Sequence, residues 1–407
     1  MRIFFSVGEP SGDLHGANLI RDLHVHNPDL ECVGYGGPRM AAAGCHIHED
    51  LTKYALMGVV SVLSKIVRFW SLVRRAECFF RLRKVDAVVL IDYPGFNWWV
   101  ARRAKRHNIP VFYYGTPQMW AWAPWRVKKT RRLVDHVLCK LPFEERWFQE
   151  RGCAATFVGH PYFDELERRQ LDAKFVEQHT DNYRPLVTIL PGSRTQEAIS
   201  NLPWLLNAAE KVSRNVANVR FAIASFNDEQ AAIARQEVKK RGLQMDVIVG
   251  RTHELIHLAK CCLACSGSVS LELLYHVKPS VIQYRINRLN WLVQALVLNV
   301  KYITLVNLFW TNDIHSRSFR VFDPDAEGAE RVPFPEYLTS RDKSDRIALH
   351  VIRWLTDNVA YQERVEQLRD LKLQYCHSGA SEIAARYILN KLGSTATEGV
   401  PANSAAA

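Results

Sequence analysis

Cys261-Cys262-Leu263-Ala264-Cys265-Ser266-Gly267-Ser268-Val269-Ser270-Leu271-Glu272 reads as a strand, a loop of small residues and the opening of a helix. Ser266, Gly267 and Ser268 let backbone N–H groups approach a phosphate, and a helix N-terminus adds favourable dipole charge. Glu272 follows about one helical turn later, within reach of ribose hydroxyls. Upstream, the strand-like Leu186–Leu190 runs into Pro191-Gly192-Ser193-Arg194, with Glu197 just behind. That loop adds a guanidinium suited to a diphosphate. One such loop is weak evidence. Two of them, each at the carboxyl end of a strand, mark an α/β half that displays ligand groups where such sheets normally do.

Working outward, short apolar runs alternate with longer helical patterns. Ile3–Val7, Glu31–Tyr35, Ala87–Ile91, Val111–Tyr114, His136–Leu138 and Thr156–Val158 read as strands. Leu14–His24, Val59–Arg83, Trp98–His107, Trp125–Leu133 and Phe143–Arg151 read as helices. The polar stretch Asp164 to Pro185 interrupts the series, which restarts with Leu186–Leu190, Arg220–Ala224, Asp246–Val249, Cys261–Ala264 and Ser280–Tyr284. Alternating β and α segments predict parallel sheets covered on both faces. The expected fold is therefore α/β, with two doubly wound Rossmann-like domains facing a cleft. The first spans residues 1–170 and the second 185–340. Helices within 341–392 are expected to pack across the two, and 393–407 to be a disordered tail of small and polar residues.

Composition narrows the class. A chain of 407 residues suits two ordinary domains, and a hydrophobic fraction of 48% is that of a soluble globular protein. The net charge of +11 favours phosphorylated substrates, anionic lipid or nucleic acid as partners. The nine scattered cysteines, an odd number, read as reduced cytosolic thiols, and no secretory signal precedes Ile3. The apolar stretch Leu289 to Phe309 is interrupted by Asn290, Gln294, Asn299, Lys301 and Asn307, so it does not read as a membrane span.

The N-terminal strand leads into Gly8-Glu9-Pro10-Ser11-Gly12-Asp13. Gly8 and Gly12 permit a tight turn, and Ser11 or Asp13 can cap a helix. The glycine spacing is wrong for a dinucleotide fingerprint. Here the sequence resembles the lipid-A-disaccharide synthase family, inverting glycosyltransferases that use a sugar nucleotide. The resemblance rests on Gly8 to Asp13, Gly37-Pro38-Arg39-Met40, Met57-Gly58, Ile91-Asp92-Tyr93-Pro94-Gly95-Phe96-Asn97 and Trp120-Ala121-Trp122. Leu141-Pro142-Phe143-Glu144, Gly159-His160-Pro161, the two phosphate-type loops and Asn307-Leu308 complete it in order. Gly95 stands where some members carry a second acidic residue.

The resemblance implies a GT-B type fold and a defined reaction. A UDP-diacylglucosamine donates its sugar to the 6-hydroxyl of diacylglucosamine 1-phosphate, with inversion and release of UDP. The family's essential base falls on Asp92. From the residues alone, Asp92 also reads as a loop aspartate capping the Gly95 or Phe96 N–H. Gly192, Ser193, Arg194, Glu197, Ser266, Gly267, Ser268, Glu272 and Asn307 are assigned to the nucleotide and its diphosphate. Glu9, Ser11, Gly12, Asp13, Trp120 and Trp122 are assigned to the acceptor. No cofactor or metal is called for, because Arg194 and helix N-termini can neutralise the diphosphate.

His253-Glu254-Leu255-Ile256-His257 formally matches a zinc-protease pattern, but it reads as an ordinary crossing helix. Cys262-Leu263-Ala264-Cys265 has no second such pair and reads as buried strand thiols. Trp98, Trp99, Trp120, Trp122 and Trp125 interleave with Arg126, Lys128, Lys129, Arg131 and Arg132 without an RNA motif, so nucleic acid is not expected as a partner.

Val59 to Arg75 has a polar stripe at Ser61, Ser64, Lys65, Arg68, Ser71 and Arg75, and an apolar arc wider than packing on a sheet requires. It suits docking on an anionic membrane surface through Phe69 and Trp70, with Lys65 and Arg68 beside them. A helix wedged between domains is the other reading. Trp291, Leu292, Ala295, Leu296 and Leu298 offer a second greasy surface. The expected location is cytoplasmic, peripheral on the inner face of the membrane, and a homodimer is left open. Two other functions stay in view. One is a UDP-N-acetylglucosamine 2-epimerase, or a transferase acting on another lipid. The second is a non-catalytic nucleotide- or RNA-binding protein.

Overall fold

A computed structural model of the chain describes residues 1–53, 62–287, 298–311, 313–315, 326 and 328–398, with the backbone alone for 62–66 and 394–398. Met57-Gly58, Lys65, Trp291, Leu292, Ala295 and Leu296 therefore lie outside the residues, or the side chains, that are described. The chain forms two compact units. The first comprises residues 1–164 and the segment from His377 onward, and the second Glu165–Cys376.

The first unit is built on seven parallel strands. They are β1 (Arg2–Val7), β2 (Glu31–Gly36), β3 (His46–Asp50), β4 (Ala87–Ile91), β5 (Val111–Tyr114), β6 (His136–Cys139) and β7 (Ala155–Phe157), in the order β3-β2-β1-β4-β5-β6-β7. β1, β4 and β5 are buried on both faces, which is why they read as unbroken apolar runs. Ile3, Phe5 and Val7 of β1 and Ala87, Val89 and Ile91 of β4 share one core with Ala17, Leu19, Ile20 and Leu23 of the helix Pro10–His26. On the opposite face, Phe4 meets the rings of Tyr35, Phe79 and Phe80 edge-on or tilted. β3 escapes a sequence reading because His46-Ile47-His48-Glu49-Asp50 is a half-exposed edge with little apolar content.

The second unit repeats the plan with six parallel strands. β8 (Leu186–Leu190), β9 (Arg220–Ser225), β10 (Asp246–Val249), β11 (Cys261–Cys265), β12 (Ser280–Arg285) and β13 (Glu336–Thr339) lie in the order β10-β9-β8-β11-β12-β13. Its core joins Val187, Ile189, Leu263 and Val281 to Leu202, Leu205 and Ala209 of the helix Thr195–Asn215 and to Ile347, Val351 and Trp354 of the helix Ser344–Thr356. In each sheet the strand order reverses beside the first strand, at β1/β4 and at β8/β11. Crevices for ligands form at such points.

The C-terminal helices divide differently from the expectation for 341–392. Ser344–Thr356 and Asn358–Tyr375 belong to the second unit, and only Ala380–Glu398 returns to the first. Burial decides this. Ala384, Ala385, Ile388 and Leu392 complete the first core. The return is fixed by Asp164, which is 2% exposed and accepts from the Gly379, Ala380 and Ser381 N–H groups at 2.7, 3.1 and 2.9 Å. Asp164 thus ends the first unit rather than opening a linker. The helix also runs past the expected break at Gly393, to Glu398. Glu165 onward joins the second unit, and much of the supposed polar linker folds as the helices Pro161–Arg168 and Ala173–His179.

Among the described residues no helix is long and apolar enough to cross a membrane. All nine cysteines are free thiols. Those of β11 are fully buried, and burial pushes the Cys262 and Cys265 thiols up to about 12.

Candidate active site

At the β1/β4 crevice, the segment after β1 passes Gly8 beneath the ring of Tyr93. A Cβ on Gly8 would lie 2.2 Å from that ring. Gly12 rests on Val7 and Ile91, and a Cβ there would stand 3.8 Å from Asp92 Oδ2. The two glycines therefore bring the backbone close to Asp92. Asp13, 3% exposed, does not cap its own helix. Its carboxylate accepts from the Gly37, Met40 and Arg39 N–H groups at 2.9, 3.1 and 3.0 Å, and so anchors the short helix Pro38–Ala42. Of the residues assigned to the acceptor, Ser11 is exposed and Glu9 half-buried at the N-cap position, while Asp13 is committed inside the fold.

After β4, Asp92 and Tyr93 take φ of +46° and +42°. Non-glycine residues held there cost on the order of 1–3 kcal/mol each. Asn97 over-determines the turn. Its amide donates to the carbonyls of Ser6, Ile91 and Asp92 at 3.1, 3.2 and 2.8 Å, and its oxygen accepts from Ser6 Oγ at 2.6 Å. The Tyr113 hydroxyl donates to the Asp92 carbonyl at 2.7 Å. Asp92 does not cap Gly95 or Phe96. Its Oδ1 meets Lys140 Nζ at 3.1 Å, with side-chain exposures of 22% and 20%.

Sequence reasoning passed over Lys140, although it directly precedes the Leu141-Pro142-Phe143-Glu144 motif. Burial works against its ammonium, but Asp92, Glu144 and Glu9 outweigh it and raise its pKa. Burial raises the Glu144 carboxyl, opposed by the Trp120 indole N–H, which donates to it at 2.9 Å. Trp120, assigned to the acceptor, is 1% exposed and braces this network. Trp122 is only partly buried, with Arg126 4.5 Å over its ring. Burial, with help from Lys140 and His15, holds His160 well below its ordinary value.

The β8/β11 crevice carries the two phosphate-type loops on paired strands, with Leu190 opposite Ala264. Gly192 has φ +127°, and its Cβ would press on Glu197 at 3.1 Å. Ser193 and Arg194 are exposed at the head of the helix Thr195–Asn215, and Arg194 pairs with Glu197 at 2.7 Å. Gln230 Nε2 donates to the Ser193 carbonyl at 2.9 Å and fixes the loop. After β11, Gly267 and Ser268 are exposed and Ser266 partly so. Ser270 Oγ donates to the Gly267 carbonyl at 2.9 Å. Glu272 is 1% exposed and bonds to His253, which also contacts Arg169.

Asn307, assigned to the nucleotide, is bonded within the second unit. It is 0% exposed, and its amide donates to Phe334 O at 2.7 Å and Glu336 Oε2 at 2.9 Å. These bonds tie its helix to the Phe334 and Glu336 segment. His253 and Glu254 also go to separate partners, since Glu254 accepts from the Asp172 N–H at 3.2 Å. Among the described residues no three His, Cys, Asp or Glu side chains gather as metal ligands would.

The helix Val62–Leu82 resolves its wide apolar arc. Leu72, Val73, Ala76 and Phe80 are buried on the sheet. Phe69 turns inward against Tyr93 and Phe96, with ring centroids 6.2 and 5.5 Å away. Arg68 pairs with Glu49 at 2.9 Å. Val67 and Trp70 remain outside, 70% and 41% exposed. With Ser71, Arg74, Arg75 and Cys78 they line an open groove of about 460 Å³.

Two doubly wound parallel sheets, with phosphate-type loops at one switch point and an oriented carboxylate at the other, frame an enzyme that acts on a sugar nucleotide, and the family match makes its class a glycosyltransferase. The family model described as lipid-A-disaccharide synthetase matches residues 3–322. The lipid-A-disaccharide synthase of Geobacter sulfurreducens is 32% identical over 400 residues, covering 96% of this chain and 97% of its own. That of Anaeromyxobacter dehalogenans is 30% identical over 389 residues, covering 95% and 97%. The chain belongs to the lipid-A-disaccharide synthetase family. Among solved structures, UDP-GlcNAc 2-epimerase from Neisseria meningitidis bound to UDP-GlcNAc shares 14% identity, with a TM-score of 0.62 and coverage of 96% and 100%. The glycotransferase of kitacinnamycin gives 14% and 0.55, with coverage of 96% and 98%. At such identities these likenesses speak for the fold and not for epimerisation.

Proposed function

We propose that this chain transfers diacylglucosamine from its UDP derivative to the 6-hydroxyl of diacylglucosamine 1-phosphate, with inversion. The acceptor oxygen attacks C1 of the donor from the face opposite UDP, and the C1–O bond to the diphosphate breaks as the new bond forms. Asp92 takes the hydroxyl proton. UDP leaves with the bonding pair, and Arg194 and the backbone of the Gly192 and Gly267 loops offset its charge. The observation that carries this reading is the carboxylate of Asp92, carried at the β1/β4 switch point on a turn of two positive-φ residues whose backbone Asn97 holds. The family match supplies the substrates.

Acylated substrates require contact with a bilayer. Val67, Trp70 and Arg74 on the exposed face of Val62–Leu82 support docking on an anionic membrane surface. Phe69 packs against Tyr93 and Phe96, and Arg68 pairs with Glu49 while staying exposed.

Asp92→Asn keeps the shape and removes the proton acceptor. Turnover should fall by roughly 10²-fold or more, while calorimetry shows UDP-sugar affinity retained. Turnover within about tenfold of wild type would remove Asp92 from the role of base.

A further inference from the structure

Lys140 reaches Asp92 across an intervening strand. Asp92 follows β4, Lys140 follows β6, and β5 lies between them. Neighbouring strands stand about 4.8 Å apart, so the two side chains and the contact between them span about 9.6 Å from backbone to backbone. Gly115, just after β5, leaves the path of the arm clear. That residue has φ +69°, and a Cβ on it would lie 2.6 Å from Lys140 Cε and 2.7 Å from Nζ. The base of the arm is also fixed. The Lys140 N–H donates to Glu144 Oε2 at 3.1 Å, and Trp120 holds the other oxygen of that carboxylate.

The ammonium takes one oxygen of Asp92 only. Oδ1 is at 3.1 Å, whereas Oδ2 lies 3.8 Å from where a Cβ on Gly12 would stand, on a side that the glycine leaves open. The charged and titratable groups around the pair are Glu9 from the first helix, Tyr93 after β4, Tyr113 and Tyr114 of β5, Glu144 beyond β6 and His160 beyond β7. Among the described residues Lys140 is the cation that meets the Asp92 carboxylate directly.

We infer that Lys140 is a positioning residue for the transfer: it pins Oδ1 of Asp92 so that Oδ2 is presented to the acceptor hydroxyl. The inference rests on the reading of Asp92 as base. The lysine keeps its own proton throughout, and the proton from the hydroxyl goes to Oδ2. A misplaced base can lose about 10²-fold in rate without loss of substrate binding.

The test uses the full chain. Lys140→Met should lower kcat by roughly tenfold or more, with both KM values within about twofold of wild type. Lys140→Ala should recover activity, saturably, when propylammonium is added. In the Asp92→Asn background Lys140→Met should have little further effect, because the two act as a unit. Wild-type kcat in Lys140→Met would overturn the inference. So would a kcat loss that propylammonium does not restore and that tracks a lowered thermal midpoint, which is the mark of a structural ion pair. If Asp92→Asn is inactive while Lys140→Met is normal, only the role of Lys140 fails. If Asp92→Asn is active, the base reading fails first.

Discussion

Asp92 and Tyr93 adopt positive φ side by side, and nothing in Ile91-Asp92-Tyr93-Pro94 announces it. The motif identified Asp92, whereas the turn that aims it depends on Asn97 and Tyr113, reached through the sheet. The same limit applies to Asp13 and Asn307. Their residue types suit ligand contacts, and only their burial shows that backbone N–H groups and Glu336 occupy them. Glu336 is 1% exposed and accepts from Ile303 N, Thr304 N and Asn307 Nδ2 at 2.7, 3.0 and 2.9 Å. Burial raises it from the ordinary 4.5 to about 7, against those bonds. The folded state therefore holds this proton more tightly than the unfolded chain between those values. Its contribution to stability falls as pH rises through that window, and the cost is complete above about 7. Urea midpoints of wild type should drop more between about pH 5 and about pH 8 than those of Glu336→Gln. Parallel curves for the two proteins would show that Glu336 does not carry this slope.

At the scale of elements, the strands buried on both faces were legible because parallel sheets demand continuous apolar runs. The half-exposed edge β3 and the strand β13, which starts after Pro335, were not. The helix Val62–Leu82 shows how a periodic pattern overstates a surface. Its arc is wide because it serves three neighbours: the sheet, the rings of Tyr93 and Phe96, and the outside. Among its described large apolar side chains Val67, Trp70 and, at its end, Leu82 are exposed, with the rings of Trp70 and Trp99 4.8 Å apart. Replacing Val67 and Trp70 by Ser should release the protein from vesicles containing anionic phospholipid, in a co-sedimentation assay, and leave the thermal midpoint nearly unchanged. Their combined burial in a bilayer interface is worth roughly 1.5–3 kcal/mol per side chain at most. Equal co-sedimentation of variant and wild type would place the membrane contact elsewhere on the chain.

At the scale of the whole molecule, the repeated strand order and the loops after β1, β4, β8 and β11 were readable from alternating segments and small residues. The return of the last helix to the first unit was not. It depends on Asp164 meeting residues 379–381, more than 200 positions away in sequence. Lys140 was missed for a similar reason, since its arm crosses a strand that sequence spacing does not reveal. In a transfer of this kind UDP release depends on a second sugar. The direct measurement is UDP formation by the purified protein from UDP-diacylglucosamine, with diacylglucosamine 1-phosphate supplied or omitted, and the product's linkage read by NMR. UDP should form only when the acceptor is present, in step with a β-1,6 disaccharide 1-phosphate. UDP formation without the acceptor, or an altered sugar nucleotide with no disaccharide, would contradict it.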